Sequence, residues 1–380
     1  MKRVLFTATV DSHICNFHLP FLKWFNEMGY EVHVASNGEK NIPFTHVKHN
    51  IPFERSPFKL NNIIAFNQLK SIINSNNFEL IHCHTPMGGV ITRLASLNAR
   101  RRGTKVLYTA HGFHFFNGAP LINWFLYYPI EKWLSQYTDC LFTMNTEDYF
   151  LSTKRNFRAG QIININGVGL DLEKFCIASV DEKKELRFKY GFTEDEFLLI
   201  YVAELSPRKN QLFLIKSIVE LKKKIPNIKL LLVGDGELGS LYEKEIKRLK
   251  LEHHISLLGY RKDIRNLMVL SDIGVSASKQ EGMPVNVMEA MALGLPLVVS
   301  DCRGNRDLIE NNRNGIVINL NEMNEFIGGI ETLYHSKKLR ITYGINNKEK
   351  IKNYSLETIM EQMKINYKKL ISTSNHSNNL

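Results

Sequence analysis

The chain has 380 residues, too many for one ordinary core and a suitable length for two domains. Its 44% hydrophobic and 23% charged residues are those of a globular protein, and no apolar run approaches the roughly 18 residues of a membrane span. The net charge of +11 sits mostly in the first 170 residues, with no recognition-helix, RNP or zinc-finger pattern beside it, so nucleic acid is not an expected partner.

That basic excess is either compositional background or a surface for anionic lipid headgroups. The apolar run from Val4 to Val10 holds two threonines and stops at Asp11, too short for a secretory signal; it reads as a first strand, which places the chain in the cytoplasm. The five cysteines, Cys15, Cys83, Cys140, Cys176 and Cys302, are widely spaced, odd in number and without a Cys-x-x-Cys pair, so neither a disulfide frame nor a structural zinc site is expected. His82 and His84 flank Cys83. Strand alternation puts both histidines on one face and the cysteine on the other, so the three are not expected to share an ion.

Residues 2–10 read as a strand, 18–29 as a helix with a glycine stop, 31–36 as a strand and 60–76 as an amphipathic helix. A strand at 78–85 ends near His84, a helix spans 88–103, and a strand at 105–112 ends at His111. An aromatic stretch with Phe113, Phe115, Phe116, Trp124, Phe125, Tyr127, Tyr128 and Trp133 precedes a strand at 139–145. It reads as a helix packed on the sheet or as an interfacial segment, since Trp and Tyr favour membrane interfaces. Arg100, Arg101 and Arg102 complement a helix C-terminus or touch anionic lipid.

Residues 161–175 interrupt the alternation with turn-forming glycines and acids, and read as the linker. A second series follows: strand 197–205, helix 210–225, strand 228–236, a charged helix through Leu249, strand 254–260, helix 263–272 and strand 273–278. A helix from Pro284 to about Leu293 comes next, then strands 296–301 and 315–320, and helices from about 322 onward. Strand–helix alternation in both halves predicts two doubly wound α/β domains with parallel sheets, whose ligands bind outside the carboxyl ends of the strands. The expected division is 1–170, 171–355, a helix at 356–371 and a disordered tail at 372–380.

The richest chemistry lies in 276–301. Glu281 and Glu289 stand eight positions apart around a Gly-Met-Pro turn, with Pro284 opening a helix and Gly294 stopping it. The free N–H groups and positive dipole end of that helix suit an anion, and the flanking carboxylates suit hydroxyl groups. A nucleoside diphosphate sugar has that shape.

EGMPVNVMEAMALGLPLVVS (281–300) resembles the E-x7-E signature of family 4 retaining glycosyltransferases, including Gly-x-Pro after the first Glu and Ala-x-Gly-x-Pro after the second. The resemblance covers nearly all of the chain and is strongest over 200–310. It implies a GT-B fold: two Rossmann-like domains facing a central cleft, with the C-terminal helix crossing back to the first domain. It gives Glu281 the donor sugar and Glu289 the ribose hydroxyls, with Met283, Pro284 and Val285 at the donor site between them. His111, in TAHGFHF, matches a family His-Gly near the donor sugar. In the loop 201–211 Lys209 matches a family lysine, while Glu204 stands where the family carries an arginine; Arg208 is the candidate substitute. A cation pair there suits a departing diphosphate.

Gly234 and Gly236 belong to a G-x-G-x-x-G after a strand. No acidic residue ends the next strand to hold a ribose, so they read as a tight loop facing a nucleotide rather than as an NAD fingerprint. The family's Gly-Gly loop after the first strand is missing. Asp11, His13 and Asn16 stand there as acceptor-side candidates, with helix capping as the plainer role of Asp11. In this loop and at TAHGFHFFNGAP the chain is similar to capsular and exopolysaccharide transferases.

The resemblance therefore implies a retaining transferase moving a sugar, an N-acetylated hexosamine among the candidates, from a UDP-sugar to a polyprenyl-diphosphate-linked saccharide. The enzyme would sit peripherally on the anionic inner face of the membrane. No cofactor is expected and, without an Asp-x-Asp motif, no metal. A GT-B epimerase and, further off, an NAD-dependent oxidoreductase are the rival readings.

Overall fold

A computed structural model describes residues 1–176 and 179–377, with side chains through residue 372. The chain divides into two compact units. Met1–Val168 and Ile359–Leu380 form the first, and Gly169–Thr358 the second.

The first unit holds β1 (Arg3–Val10), β2 (Glu31–Asn37), β3 (Val47–Asn50), β4 (Phe78–His84), β5 (Lys105–Ala110), β6 (Cys140–Thr143) and β7 (Gln161–Asn164). They form one sheet in the order β3-β2-β1-β4-β5-β6-β7, every neighbouring pair parallel. The second unit holds β8 (Phe197–Val202), β9 (Ile228–Val233), β10 (Ile255–Leu257), β11 (Ile273–Ser276), β12 (Leu297–Ser300) and β13 (Ile316–Ile318). Their order is β10-β9-β8-β11-β12-β13, again all parallel. Strands such as LLIYV and KLLLV are apolar on both faces because helices cover both sides of a parallel sheet. In each sheet the winding direction reverses beside the first strand, between β1 and β4 and between β8 and β11. Crevices at the carboxyl ends of such strand pairs are where ligands bind.

Several local readings change. QIIN, expected in the linker, is β7, the edge strand paired with β6. Its adjacent isoleucines favour extended backbone, which outweighed the turn formers after it. DSHICNF, expected as a loop, is a helix from Asp11 to Phe17. Helices Thr146–Lys154 and Val180–Lys189, each capped by a side chain (Asn145 and Ser179), lie where the sequence suggested none. The last helix, Leu356–Ser377, starts in the second unit and continues in the first, where the Tyr367 hydroxyl lies 2.7 Å from Nδ1 of His82. The expected tail from 372 is helical to Ser377, and 378–380 lie outside the described residues. Among the described residues no helix is long and apolar enough to cross a membrane.

Candidate active site

The second sheet's reversal point gathers most of the residues singled out in the sequence. The loop after β8 carries Arg208 and Lys209, and the loop after β11 carries Glu281. The Glu281 carboxylate is 5% exposed, and accepts from Nζ of Lys209 at 2.5 Å and from Nη1 of Arg208 at 3.3 Å. Arg208 also donates to the Gln280 carbonyl, and its own carbonyl accepts from the Lys279 amide, so the two loops are laced together. Arg208 is 44% exposed and Lys209 only 11%, so the lysine is held and the arginine can swing.

A polar shell behind these residues was not foreseen. The Tyr201 hydroxyl lies 2.7 Å from Ser278 Oγ and donates to the Lys209 carbonyl, which fixes both loops to the end of β8. Buried Arg303 donates from Nε to the Glu281 carbonyl at 2.8 Å. Ser300 donates to the Ser278 carbonyl, and Asn305 donates to the Ser300 carbonyl. The bonds from Tyr201 and Arg303 hold the backbone carbonyls of Lys209 and Glu281 themselves, and those from Ser300 and Asn305 brace the neighbouring backbone of Ser278 and Ser300. The signal was present in CRGNRD after β12, whose Arg303 and Asn305 are buried in the folded chain.

The helix after Glu281 runs Val285–Ala292, with Pro284 as its N-cap residue and Gly294 following Leu293 in left-handed backbone. Its first N–H groups lie at the positive end of the helix dipole, an end of the kind that suits an anion. Met283 and Val285 are half-buried against the apolar core beneath, and Pro284 is buried. Glu289 lies one turn further on. Its side chain has no hydrogen bond or ion pair among the described residues, and burial pushes its carboxyl up to about 7. A carboxylate desolvated without a partner is poised to take hydroxyl donors.

Gly234 and Gly236 follow β9, where the loop presses on the backbone leaving β8. Gly234 has φ +134°, and a Cβ there would strike the Ala203 carbonyl oxygen; a Cβ on Gly236 would strike that of Leu205. Both glycines therefore permit backbone contact between neighbouring loops. Gly234→Ala is expected to cost about 2–4 kcal/mol, read as a fall in the urea midpoint with little change in slope.

In the first unit Asp11 is buried and turned toward β2 and β3. It accepts from Ser36 Oγ at 2.6 Å and the Lys40 amide at 2.9 Å, and pairs with Lys48 at 3.0 Å. Burial alone would raise its carboxyl, but these partners outweigh burial and hold it below the ordinary value. Asp11 therefore does not join His13 and Asn16. His13 is half-buried on the same short helix and Asn16 is exposed. His13 lies beside His111, Nε2 to Nε2 at 3.1 Å, with His18 and His84 in the same group, two residues that the sequence reading did not place there. Burial lowers His13 to about 4, and burial with mutual repulsion holds His18, His84 and His111 well below their ordinary value, so all four are neutral.

An apolar pocket of about 530 Å³ opens beside His13, between the segment 55–58 and the helix Leu121–Ser135. Its wall includes Tyr108 and Glu131, the latter paired with buried Arg93 at 2.8 Å. The aromatic stretch has two parts: Phe113 and Phe115 are core, while Leu121, Ile122, Phe125 and Trp133 are exposed. Phe58, Leu60 and Ile63 are exposed too, with Phe58 on the pocket wall. Arg100 is engaged with Asp139 at 3.0 Å and is not free for lipid.

Two parallel sheets of this order, with cations and a carboxylate gathered at the second's reversal point, define a glycosyltransferase of the GT-B class. The chain belongs to the group 1 glycosyltransferases: residues 182–350 match the family "Glycosyl transferases group 1" and residues 3–145 match "Glycosyl transferase 4-like". It is 44% identical over 362 residues, 95% of each chain, to EpsD of Bacillus subtilis (strain 168), a provisionally assigned glycosyltransferase. It is 32% identical over 297 residues, 75% of each chain, to the Escherichia coli UDP-Gal:alpha-D-GlcNAc-diphosphoundecaprenol alpha-1,3-galactosyltransferase. Among solved structures, Anabaena HepE in complex with UDP and glucose superposes with TM-score 0.78 at 20% identity, over 97% of this chain and 100% of that one.

Proposed function

We propose that this glycosyltransferase moves a sugar, with retention of anomeric configuration, from a UDP-sugar to a polyprenyl-diphosphate-linked saccharide in surface-polysaccharide synthesis. The observation that carries the donor half is the seating of Lys209 and Arg208 on Glu281. A leaving diphosphate gains negative charge as the glycosidic bond breaks; Lys209, held in place, stabilises it without reorganising, and Arg208 swings to join it. Arg208, exposed and held only weakly, takes the part of the arginine that Glu204 replaces. Glu289 accepts from the ribose hydroxyls, and the opening of the helix Val285–Ala292 receives phosphate oxygens. Side chains rather than an ion neutralise the diphosphate, so transfer survives omission of magnesium and manganese. A donor phosphate oxygen takes the acceptor's proton. The second unit is thus the nucleotide-sugar domain and the first the acceptor domain.

The E. coli relative's lipid-linked acceptor supports the acceptor half. So does the apolar pocket bordered by Phe58 and Ile130, with exposed Leu121, Ile122 and Phe125 on the same helix. With the basic excess of the first half, these residues rest on an anionic membrane face and admit the lipid end of the acceptor. His13 and Asn16 stay on the acceptor side of this proposal, and His111 is assigned to the donor sugar. Asp11 leaves it, because its carboxylate is engaged internally.

The test incubates the purified chain with UDP-, GDP- and ADP-sugars, including UDP-galactose and the UDP-N-acetylhexosamines, with and without a polyprenyl-diphosphate-linked monosaccharide. The expected result is acceptor-dependent UDP release and a product whose anomeric coupling matches the donor. Donor isomerised without acceptor would make the protein an epimerase, and an inverted product would overturn the retaining mechanism.

A further inference from the structure

The reversal point of the first sheet carries a cluster of four histidines, of which the proposed transfer uses only His13, on the acceptor side, and His111, at the donor sugar. His13 follows β1, His84 ends β4 and His111 follows β5, while His18 links the helices Asp11–Phe17 and Leu19–Glu27. Each of the four offers a ring nitrogen, and these nitrogens all lie within 4.8 Å of one another. His111 Nε2 is 3.1 Å from His13 Nε2 and 3.4 Å from His84 Nδ1. The rings of His18 and His84 stack with centroids 3.7 Å apart. His18 is 3% exposed, yet neither of its nitrogens has a hydrogen-bond partner, and neither does Nε2 of His84.

A neutral imidazole has one N–H and one lone pair. A cluster held by hydrogen bonds would match donors to lone pairs. Here three buried nitrogens are left over, each desolvated without a partner. A cation that takes one lone pair from every ring reduces the mismatch, giving His18 one partner where it otherwise has none, while the second nitrogen of each ring keeps its N–H. Nitrogen ligands 2.0–2.1 Å from a tetrahedral zinc lie about 3.3–3.4 Å apart, and the separations of 3.1 and 3.4 Å stand close to that edge. The set is all imidazole, without a carboxylate or thiolate. Such a set suits zinc, copper or nickel and not magnesium or calcium. Neutral rings are the ligating form.

Neighbouring groups are excluded by their bonds. His82 has Nδ1 on Tyr367 and Nε2 on Thr109, and Cys83 donates to the Leu107 carbonyl. His13 lines the open apolar pocket, which gives an ion its way in.

We propose that His13, His18, His84 and His111 bind one divalent transition ion of the zinc class, which fastens the carboxyl ends of β1, β4 and β5. His111 presents Nε2 to the ion and keeps Nδ1 for substrate. The ion is fixed in the first unit and does not sit on the diphosphate held by the second, so the expectation that the diphosphate needs no metal is unaffected.

Three measurements test it on the full chain. Apoprotein, prepared with a chelator, is titrated with zinc against a chromophoric competitor; one equivalent is expected to bind, with a dissociation constant below about 1 µM. Cobalt added in place of zinc is expected to give the visible bands of a tetrahedral nitrogen site. His84→Gln is expected to weaken zinc at least about 100-fold, while His49→Gln, a change to a histidine outside the group, leaves it unchanged. The cobalt and zinc readings on the unaltered protein need no variant, so a folding failure of His84→Gln leaves the test standing. No stoichiometric binding, or binding untouched by both His84→Gln and His18→Gln, would overturn the proposal whatever the fate of transfer.

Discussion

Glu281→Gln is expected to lower the transfer rate by about 10³ while UDP affinity changes less than about threefold. Glu281 accepts from Lys209 and Arg208 at 2.5 and 3.3 Å. A Gln in its place keeps the shape but turns an NH2 toward one of two cations, so at most one stays seated. Cations placed before the leaving group develops charge act chiefly in the transition state, and removing one such stabiliser commonly costs 10²–10³ in rate. UDP affinity depends more on ribose and helix-end contacts, which this change leaves alone. The loss should therefore fall on kcat rather than KM. Lys209→Met is expected to cost a similar factor, and the double variant little more than either single one, because the pair acts as a unit. Circular dichroism should stay unchanged, with a Tm a few degrees lower, since Lys209 loses its carboxylate in a largely buried place. Near-normal turnover in Glu281→Gln, or fully additive losses, would remove Glu281 and Lys209 from the mechanism.

The sequence showed this site in part because the fold puts chain-local signals at strand ends. Gly-Met-Pro before a helix and glycine after it mark Glu281 and Glu289 without any tertiary information, and the helix boundaries came within a residue or two of 285–292. The strand alternation likewise carried both sheets. What stayed hidden was non-local. Tyr201, Ser278, Arg303 and Asn305 look like ordinary residues in their own segments; only the return of β8, β11 and β12 to one edge makes them a shell around Glu281. His18 and His84 are separated by 66 positions and meet only because β1 and β4 are neighbours. β3 and β7 were missed as four-residue edge strands, too short for a periodicity to stand out. A carboxylate after a strand can face ligand or protein, and for Asp11 the choice depends on Lys48, 37 residues away.

Glu289→Gln is expected to stabilise the ligand-free protein at neutral pH while weakening UDP by about 10² or more. Burial holds the carboxyl at about 7 against an ordinary 4.5. The folded chain therefore keeps a proton that the unfolded chain has released, and between pH 4.5 and 7 stability must fall as pH rises. Above 7 the charge sits desolvated without a partner, a cost of about 1–2 kcal/mol once residual exposure is allowed for. An uncharged Gln escapes that cost, so its Tm should lie above the parent's at pH 7.5, and the two should converge toward pH 5. Binding reverses the balance. Ribose hydroxyls that donate to the carboxylate favour its charged form and pull its pKa down. UDP binding at pH 6.5 should thus release a fraction of a proton, seen as a dependence of the calorimetric enthalpy on buffer ionisation, and the release should vanish in Glu289→Gln. Affinity should also decline as pH drops from 7.5 to 6. Proton release that persists in the variant would assign the titration to another group. A Tm below the parent's at pH 7.5, with UDP still bound, would show that Glu289 supports the helix rather than the nucleotide.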